Sequence, residues 1–191
     1  MLHQAIELTE TNTMHGKGLK TTKRILRGEV VWQLDPNLPT YTLSEINSLP
    51  KEDQKNFYTY SYQCSEDRFI LADPGIDRYM NHSCEPNTWF KDNHTLIACR
   101  NIEIGEEISY DYTTNDILVD YQMKCNCGAD SCRQVITNKD YLDKDWQEKH
   151  GYHLPDHVLK AIERSKAAPK WQSTAAKIKE LVLNGFARIR Y

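Results

Sequence analysis

No run of apolar residues in this 191-residue chain approaches the roughly 18 that a bilayer-crossing helix needs, which excludes an ordinary transmembrane segment. The opening "MLHQAIELTETN" carries acidic groups where a secretory signal carries a basic segment and an apolar stretch, so an intracellular protein is expected. A convincing basic import cluster is also lacking, which leaves nuclear against cytosolic location open. Internal repeats and low-complexity tracts are missing, so neither a repeat array nor a biased linker organises the chain. The excess of one sign of charge is small overall, at a net −3, but it is uneven along the chain. Residues 139–191 carry 11 Lys/Arg against 7 Asp/Glu, while residues 1–138 carry 13 against 20. That balance favours basic partners for the first part and argues against a nucleic-acid surface there.

What is present is the composition of one globular domain, 39% hydrophobic and 27% charged. Early segments read as short strands broken by turns: "HGKGLKTTKRILRGEVVWQL" puts Gly16 and Gly18 in a tight loop and Arg27-Gly28 in a turn before the strand "EVVWQL". From 42 to 60 the pattern is helical, with Thr42 and Glu45 as a capping box and Pro50 in the first turn of a second helix. "RFILAD", "HTLIACR" and "IEIGEEISYDY" read as strands, the last across a turn at Gly105. After Cys132 the texture is helical: "DYLDKDWQEKH" stops before Gly151, "PDHVLKAIERSKA" begins with a favourable Pro155, and "WQSTAAKIKELVLNG" spaces Trp171, Ala175, Ile178 and Val182 on one face before closing at Gly185.

Of the 6 cysteines, three crowd into "CNCGADSC" as Cys125, Cys127 and Cys132. In an intracellular chain such clustering points to a metal, and tetrahedral zinc requires a fourth ligand from elsewhere, with Cys64, Cys84, Cys99, His82 and His94 as candidates. Cys84 stands out because it lies in "RYMNHSCEPNTW", which packs hydrogen-bonding side chains, a thiol and a rigid turn into residues 78–89. Tyr110 and Tyr112 in "ISYDY" share one face of a strand, opposite Asp111, and two adjacent phenols suit a narrow slot for an alkyl amine. "GKG" alone lacks the further glycine of a dinucleotide fingerprint and the Lys-Ser/Thr ending of a phosphate loop.

Taken in order, "GKGL", "RYMNHSCEPN", "GEEISYDY" and "CNCGADSC" resemble the motifs of SET-domain protein lysine methyltransferases, over roughly residues 10–136. The resemblance implies a mainly β fold with helical additions: small, mostly antiparallel sheets of the β-clip type around a pseudoknot, in which the segment near 78–84 is threaded by the one near 109–112. It implies a SET domain over 1–121 with an insertion at about 40–68, a post-SET zinc motif over 122–137 and a C-terminal helical extension over 138–191. S-adenosylmethionine is the implied methyl donor, held by Lys17, Gly18, Arg78, Asn81, His82 and Tyr112. Tyr112 matches the family's essential tyrosine, and Tyr110, as Tyr rather than Phe, implies mono- or dimethylation. Cys84 would join Cys125, Cys127 and Cys132 on one structural zinc ion. The implied partner is a basic protein segment with an exposed lysine, such as a histone tail, with no direct nucleic-acid or membrane binding.

The sequence departs from the family's pattern at two places. "WQLD" puts Leu34 where a channel tyrosine is common, so Tyr41, Tyr60 or Tyr62 is expected to complete the channel. "CRQVI" replaces the usual Arg-Gly and larger apolar residue, leaving Val135 as a small cover for the adenine. These departures favour the alternative reading, a catalytically silent SET module that binds a peptide or protein. Acidic groups of the insertion, Glu45, Glu52, Asp53, Glu66 and Asp67, form either a solvated face or a groove for a basic peptide. The apolar stripe of the C-terminal helix is expected to pack on the domain, with a homodimer contact or a substrate wall as the alternatives.

Overall fold

The computed structural model describes residues 1–10, 16–71 and 75–167. The chain divides after Leu159, and the unit Met1–Leu159 holds every strand described. Of Lys160–Tyr191, the described part is Lys160–Ala167, the later turns of a helix that begins at Asp156. The helix expected over "WQSTAAKIKELVLNG", and with it the dimer contact, lies outside the described residues.

Four small sheets make up the first unit. In the first, β1 (Ile6–Glu10) pairs antiparallel with β2 (Lys17–Thr21), and β2 then pairs with the much later strand Glu107–Tyr110. That late strand also pairs in parallel with the two-residue strand Asn81–His82, in the register Ser109↔Asn81 and Tyr110↔His82. A second sheet joins β3 (Val30–Gln33) to a hairpin, and a third joins β4 (Thr40–Tyr41), β5 (Ser61–Gln63) and β6 (Phe69–Leu71). Continuing in chain order, Asn81–His82 is β7, the hairpin is β8 (Thr88–Asp92) and β9 (Thr95–Ala98), and Glu107–Tyr110 is β10. The last pair is β11 (Gln122–Lys124) with β12 (Val135–Thr137).

Between β4 and β5 the insertion forms α1 (Leu43–Ser48) and α2 (Lys51–Tyr60). The expected capping box is present: Glu45 N–H donates to the Thr42 hydroxyl, and Thr42 N–H donates to the Glu45 carboxylate at 2.7 Å. Pro50 sits one place earlier than expected, as the cap residue of α2. Ile46, Phe57 and Phe69 form a small core beneath this insertion. The main core centres on Leu19, Ile25, Val31, Ile102 and Ile108, which have no exposed surface, and each such side chain contributes about 1.5–3 kcal/mol by burial.

Two local expectations are corrected. Gly18 lies inside β2 and not in a loop, because the antiparallel pairing with β1 runs through it, Gly18 opposite Thr9, as far as Lys17 opposite Glu10. Tyr112 is not a strand residue: β10 ends at Tyr110, and Asp111 caps a 3-10 turn, Tyr112–Thr114, by accepting from the Thr113 N–H. Beyond β12, α3 (Lys144–His150) starts on an Asp143 cap and stops at Gly151, whose φ of +55° suits glycine. The final helix described is α4 (Asp156–Ala167).

Candidate active site

Parallel pairing of β7 with β10 brings the quoted 78–89 segment against "ISYDY". The crossing is fastened at several points. Ser83 N–H donates to the Tyr110 carbonyl at 3.1 Å, and the Tyr112 hydroxyl donates to the Met80 carbonyl at 2.9 Å. Tyr112 N–H donates to His82 Nδ1 at 3.2 Å. An accepting Nδ1 leaves the ring proton on Nε2, which faces Cys84 Sγ at 3.4 Å. Burial holds His82 down at about 4, against the pull of Asp111, so its ring is neutral at physiological pH.

Asn81, 5% exposed, donates from Nδ2 to the Lys17 carbonyl at 2.8 Å and to Glu107 Oε1 at 2.7 Å. Its side chain therefore ties the knot to Lys17-Gly18. Lys17 Nζ lies over the Tyr79 ring, and the Arg78 guanidinium stacks 4.4 Å from the Tyr60 ring centre. All six residues assigned to the cofactor thus lie on β2, on β7, on the turn before it, or on the turn after β10.

Beside the knot is a cavity of about 750 Å³ whose lining includes Trp32, Tyr60, Tyr62, Tyr110, Tyr112 and Tyr121. The rings of Tyr110 and Tyr112 are 4.9 Å apart, and Tyr62 meets Trp32 edge-on at 5.5 Å. Leu34 is buried in the core; of the aromatics expected in its place, Tyr60 and Tyr62 line the cavity, while Tyr41 packs against Phe57. Burial pushes the phenols of Tyr62, Tyr110, Tyr112 and Tyr121 well above their ordinary range, so none is a phenolate near neutrality.

Cys84, Cys125, Cys127 and Cys132 have all their sulfurs within 4.8 Å of one another. Cys84 Sγ and Cys125 Sγ are 3.8 Å apart. A tetrahedron of zinc–sulfur bonds of about 2.3 Å has an edge of about 3.8 Å, so the donor set fits that ion. Backbone N–H groups of Arg133 and Cys84 donate to Cys84 Sγ and Cys127 Sγ, each at 3.4 Å, as thiolates require. Burial pushes Cys125 and Cys84 up, while the N–H groups of Cys84 and Ala129 outweigh burial at Cys127 and bring it to about 7. Cys64 and Cys99 lie elsewhere, their thiols donating to the carbonyls of Arg68 and Pro86.

The sequence reading missed the anchor between these parts. Asp111, 1% exposed, accepts both 2.8 Å bonds of the Arg133 Nη2 and lies 3.4 Å from His150 Nε2 on α3. Burial works to raise this carboxyl, and His150, Arg133 and His82 outweigh it, so Asp111 stays well below the usual carboxylate range. Trp146 Nε1 donates to Thr113 Oγ1 at 2.9 Å, adding α3 to the same anchor. Tyr121, Gln63 and Asp116 were also missed; the clue available for Tyr121 was only its place just before the cysteine motif.

The knot, the aromatic cavity and the thiol cluster define a class, and comparisons with known proteins agree with it. Residues 16–113 match the family model described as SET domain. The chain belongs to that family. It is 32% identical over 132 residues to histone-lysine N-methyltransferase trithorax of Drosophila virilis, covering 64% of this chain and 3% of that protein. With histone-lysine N-methyltransferase 2B of Homo sapiens it shares 30% over 140 residues, 65% of this chain and 5% of the relative. Su(var)3-9 of Drosophila pseudoobscura pseudoobscura is 28% identical over 156 residues, 68% and 24%. The chain thus spans between 3% and 24% of the length of these relatives. A crystal structure of KRYPTONITE in complex with mCHG DNA and SAH shares the fold, with a TM-score of 0.53, 24% identity, and coverage of 70% of this chain and 29% of that one.

Proposed function

We propose that this chain is an S-adenosylmethionine-dependent protein lysine N-methyltransferase that produces mono- or dimethyllysine in a basic segment of histone-tail type. The observation that carries this reading is the junction of the Tyr110–Tyr112 cavity with the Asn81–His82 crossing. The names of the relatives, all histone-lysine N-methyltransferases, support the substrate class. A KRYPTONITE complex holding an H3(1-15) peptide and SAH supports the pairing of peptide and cofactor in this fold.

Bound S-adenosylmethionine would supply a methyl group on a positively charged sulfur, open to in-line attack by a neutral amine. Lys17, Gly18, Arg78, Asn81, His82 and Tyr112 are the residues assigned to hold it. The donor set suits such a ligand: Glu107 beside Asn81 offers a carboxylate to cationic groups. Tyr112, whose hydroxyl proton is committed to the Met80 carbonyl, keeps its oxygen as an acceptor toward the reacting carbon. Aromatic walls strip water from an entering lysine and disfavour its charged form, which lowers the amine from its usual pKa of about 10.4. Catalysis then rests on alignment and a fixed polar setting. Zinc, held by the four cysteines, would be structural, since all four positions are filled by the chain.

The test is transfer of labelled methyl groups from S-adenosylmethionine to core histones and lysine peptides. Wild-type protein is expected to label lysine, and Tyr112→Phe to lose about a hundredfold or more of the rate. Peptide capture without turnover by folded, zinc-loaded protein would instead define a silent binding module.

A further inference from the structure

The cavity holds a carboxylate that the reaction scheme above does not use. Asp116 follows Tyr112 by one helical turn, and its N–H donates to the Tyr112 carbonyl at 3.2 Å. Its two hydrogen bonds, from the Gln63 N–H at 2.7 Å and the Asn115 side-chain amide at 3.2 Å, both end on Oδ1. Oδ2 receives none, and no ion pair reaches Asp116 among the described residues. Gln63, 1% exposed, fixes this geometry from β5: its Oε1 accepts from the N–H groups of Ile117 and Leu118 at 2.9 and 3.0 Å.

A second observation is independent of Asp116. Two other phenols of the same cavity, Tyr62 and Tyr121, have hydroxyl oxygens sealed from solvent with no hydrogen-bond partner. Buried polar atoms are rarely left so, and both residues line the cavity that Asp116 also lines. A ligand with N–H donors and one positive charge matches the open Asp116 acceptor and the phenol-lined wall around it; a primary alkylammonium is that ligand.

We propose that Asp116 receives the substrate lysine's ammonium through Oδ2 and takes its proton before methyl transfer. This rests on the lysine methyltransferase reading and adds to it a catalytic residue. One N–H bond of the ammonium breaks, an O–H bond forms on Oδ2, and both products, amine and carboxylic acid, are uncharged. After product leaves, the acid returns its proton to water through the cavity's open side.

Beside Asp116 the cavity is lined by other ionisable groups, among them the phenols of Tyr58, Tyr60 and Tyr79. Tyr62 from β5, Tyr110 from β10, Tyr112 from the turn and Tyr121 from the segment before β11 are held neutral by burial and cannot act as bases. Asp77 and Asp120 also line the cavity, with Arg78 as the cation, which stacks on Tyr60. From α4, His157 Nε2 lies 2.7 Å from the Asn115 carbonyl. Burial raises the Asp116 carboxyl to about 7, in the range where a proton acceptor works best near neutrality.

The experiment pairs a pH–rate profile with a binding assay that needs no turnover. In wild-type protein kcat should fall as pH drops below about 7. Asp116→Asn keeps the Oδ1 acceptor for Gln63; it should lose about a hundredfold at neutral pH, and the gap should narrow at least about tenfold by about pH 9.5, where lysine deprotonates unaided. Binding of n-butylamine, followed by shifts of the tyrosine ring resonances, should weaken about tenfold or more in the variant and, in wild type, below pH 7. A variant with the wild-type profile and affinity would overturn the proposal, as would a uniform rate loss at every pH with unchanged butylamine binding. Asp116-dependent binding in a protein that methylates no lysine would support the ammonium site and overturn the methyltransferase reading.

Discussion

Tyr110 and Tyr112 differ in what their hydroxyls do, and that difference sets separate predictions. The Tyr112 hydroxyl is fixed on the Met80 carbonyl, whereas Tyr110 lines the cavity with its ring 6.5 Å from Phe90. Removing the Tyr110 hydroxyl makes room for a further methyl group, so Tyr110→Phe is expected to move the product toward trimethyllysine in mass spectra; an unchanged distribution would contradict this. Asp116 makes a prediction about stability as well. Its carboxyl is raised from 3.8 to about 7, so between those values the folded protein holds a proton that the unfolded chain has released. The contribution of the protonated form is complete below 3.8 and is lost as pH rises through 7. Asp116→Asn, which does not ionise, should melt above wild type at pH 8, with the difference closing by about pH 4; an equal difference at both would contradict burial as the cause. Nothing in the sequence marked Asp116, since one acid in a polar loop carries no periodic or motif signal, and its surroundings come from β5, some fifty residues earlier.

Among the elements, the β11–β12 hairpin carries the clearest departure from the family's pattern. Gln134, where the family usually has glycine, adopts φ of +65°, and its carbonyl accepts from the Cys125 N–H at 2.8 Å. A side chain in the left-handed region costs about 1–2 kcal/mol, partly offset by the greater unfolded-state freedom of glycine. Gln134→Gly should therefore stabilise the protein by up to about 1 kcal/mol in denaturant melts; a loss of stability would show that the Gln134 side chain matters more than its backbone strain. Metal removal acts on the same element. Chelation should release one zinc per chain and loosen β11–β12 along with Arg133, read as faster amide exchange at Met123 and Ile136. The four motifs were legible because each is local, and so was the capping box at Thr42. The end of β10 was not: an alternating pattern continues through Asp111 and Tyr112, but the buried Arg133 and His150 contacts of Asp111 turn the chain there.

For the molecule as a whole, the acidic excess of residues 1–138 and the carboxylates of Asp77, Asp116 and Asp120 along the cavity favour a basic peptide. The KM for a lysine-rich peptide is expected to rise with salt as the screening length falls below about 10 Å, with kcat little changed. A KM insensitive to salt would place recognition in apolar contacts instead. Of the sheet order only the β7–β10 crossing was legible, and that through resemblance; the β2–β10 pairing was not, because it joins segments far apart in sequence and no local pattern encodes such pairings. The most direct test of the whole account is tandem mass spectrometry of a lysine peptide after incubation with S-adenosylmethionine and either wild-type protein or Tyr112→Phe. The account predicts one or two methyl groups on the lysine nitrogen with wild type and almost none with the variant; equal methylation by both, or transfer to a residue other than lysine, would contradict it.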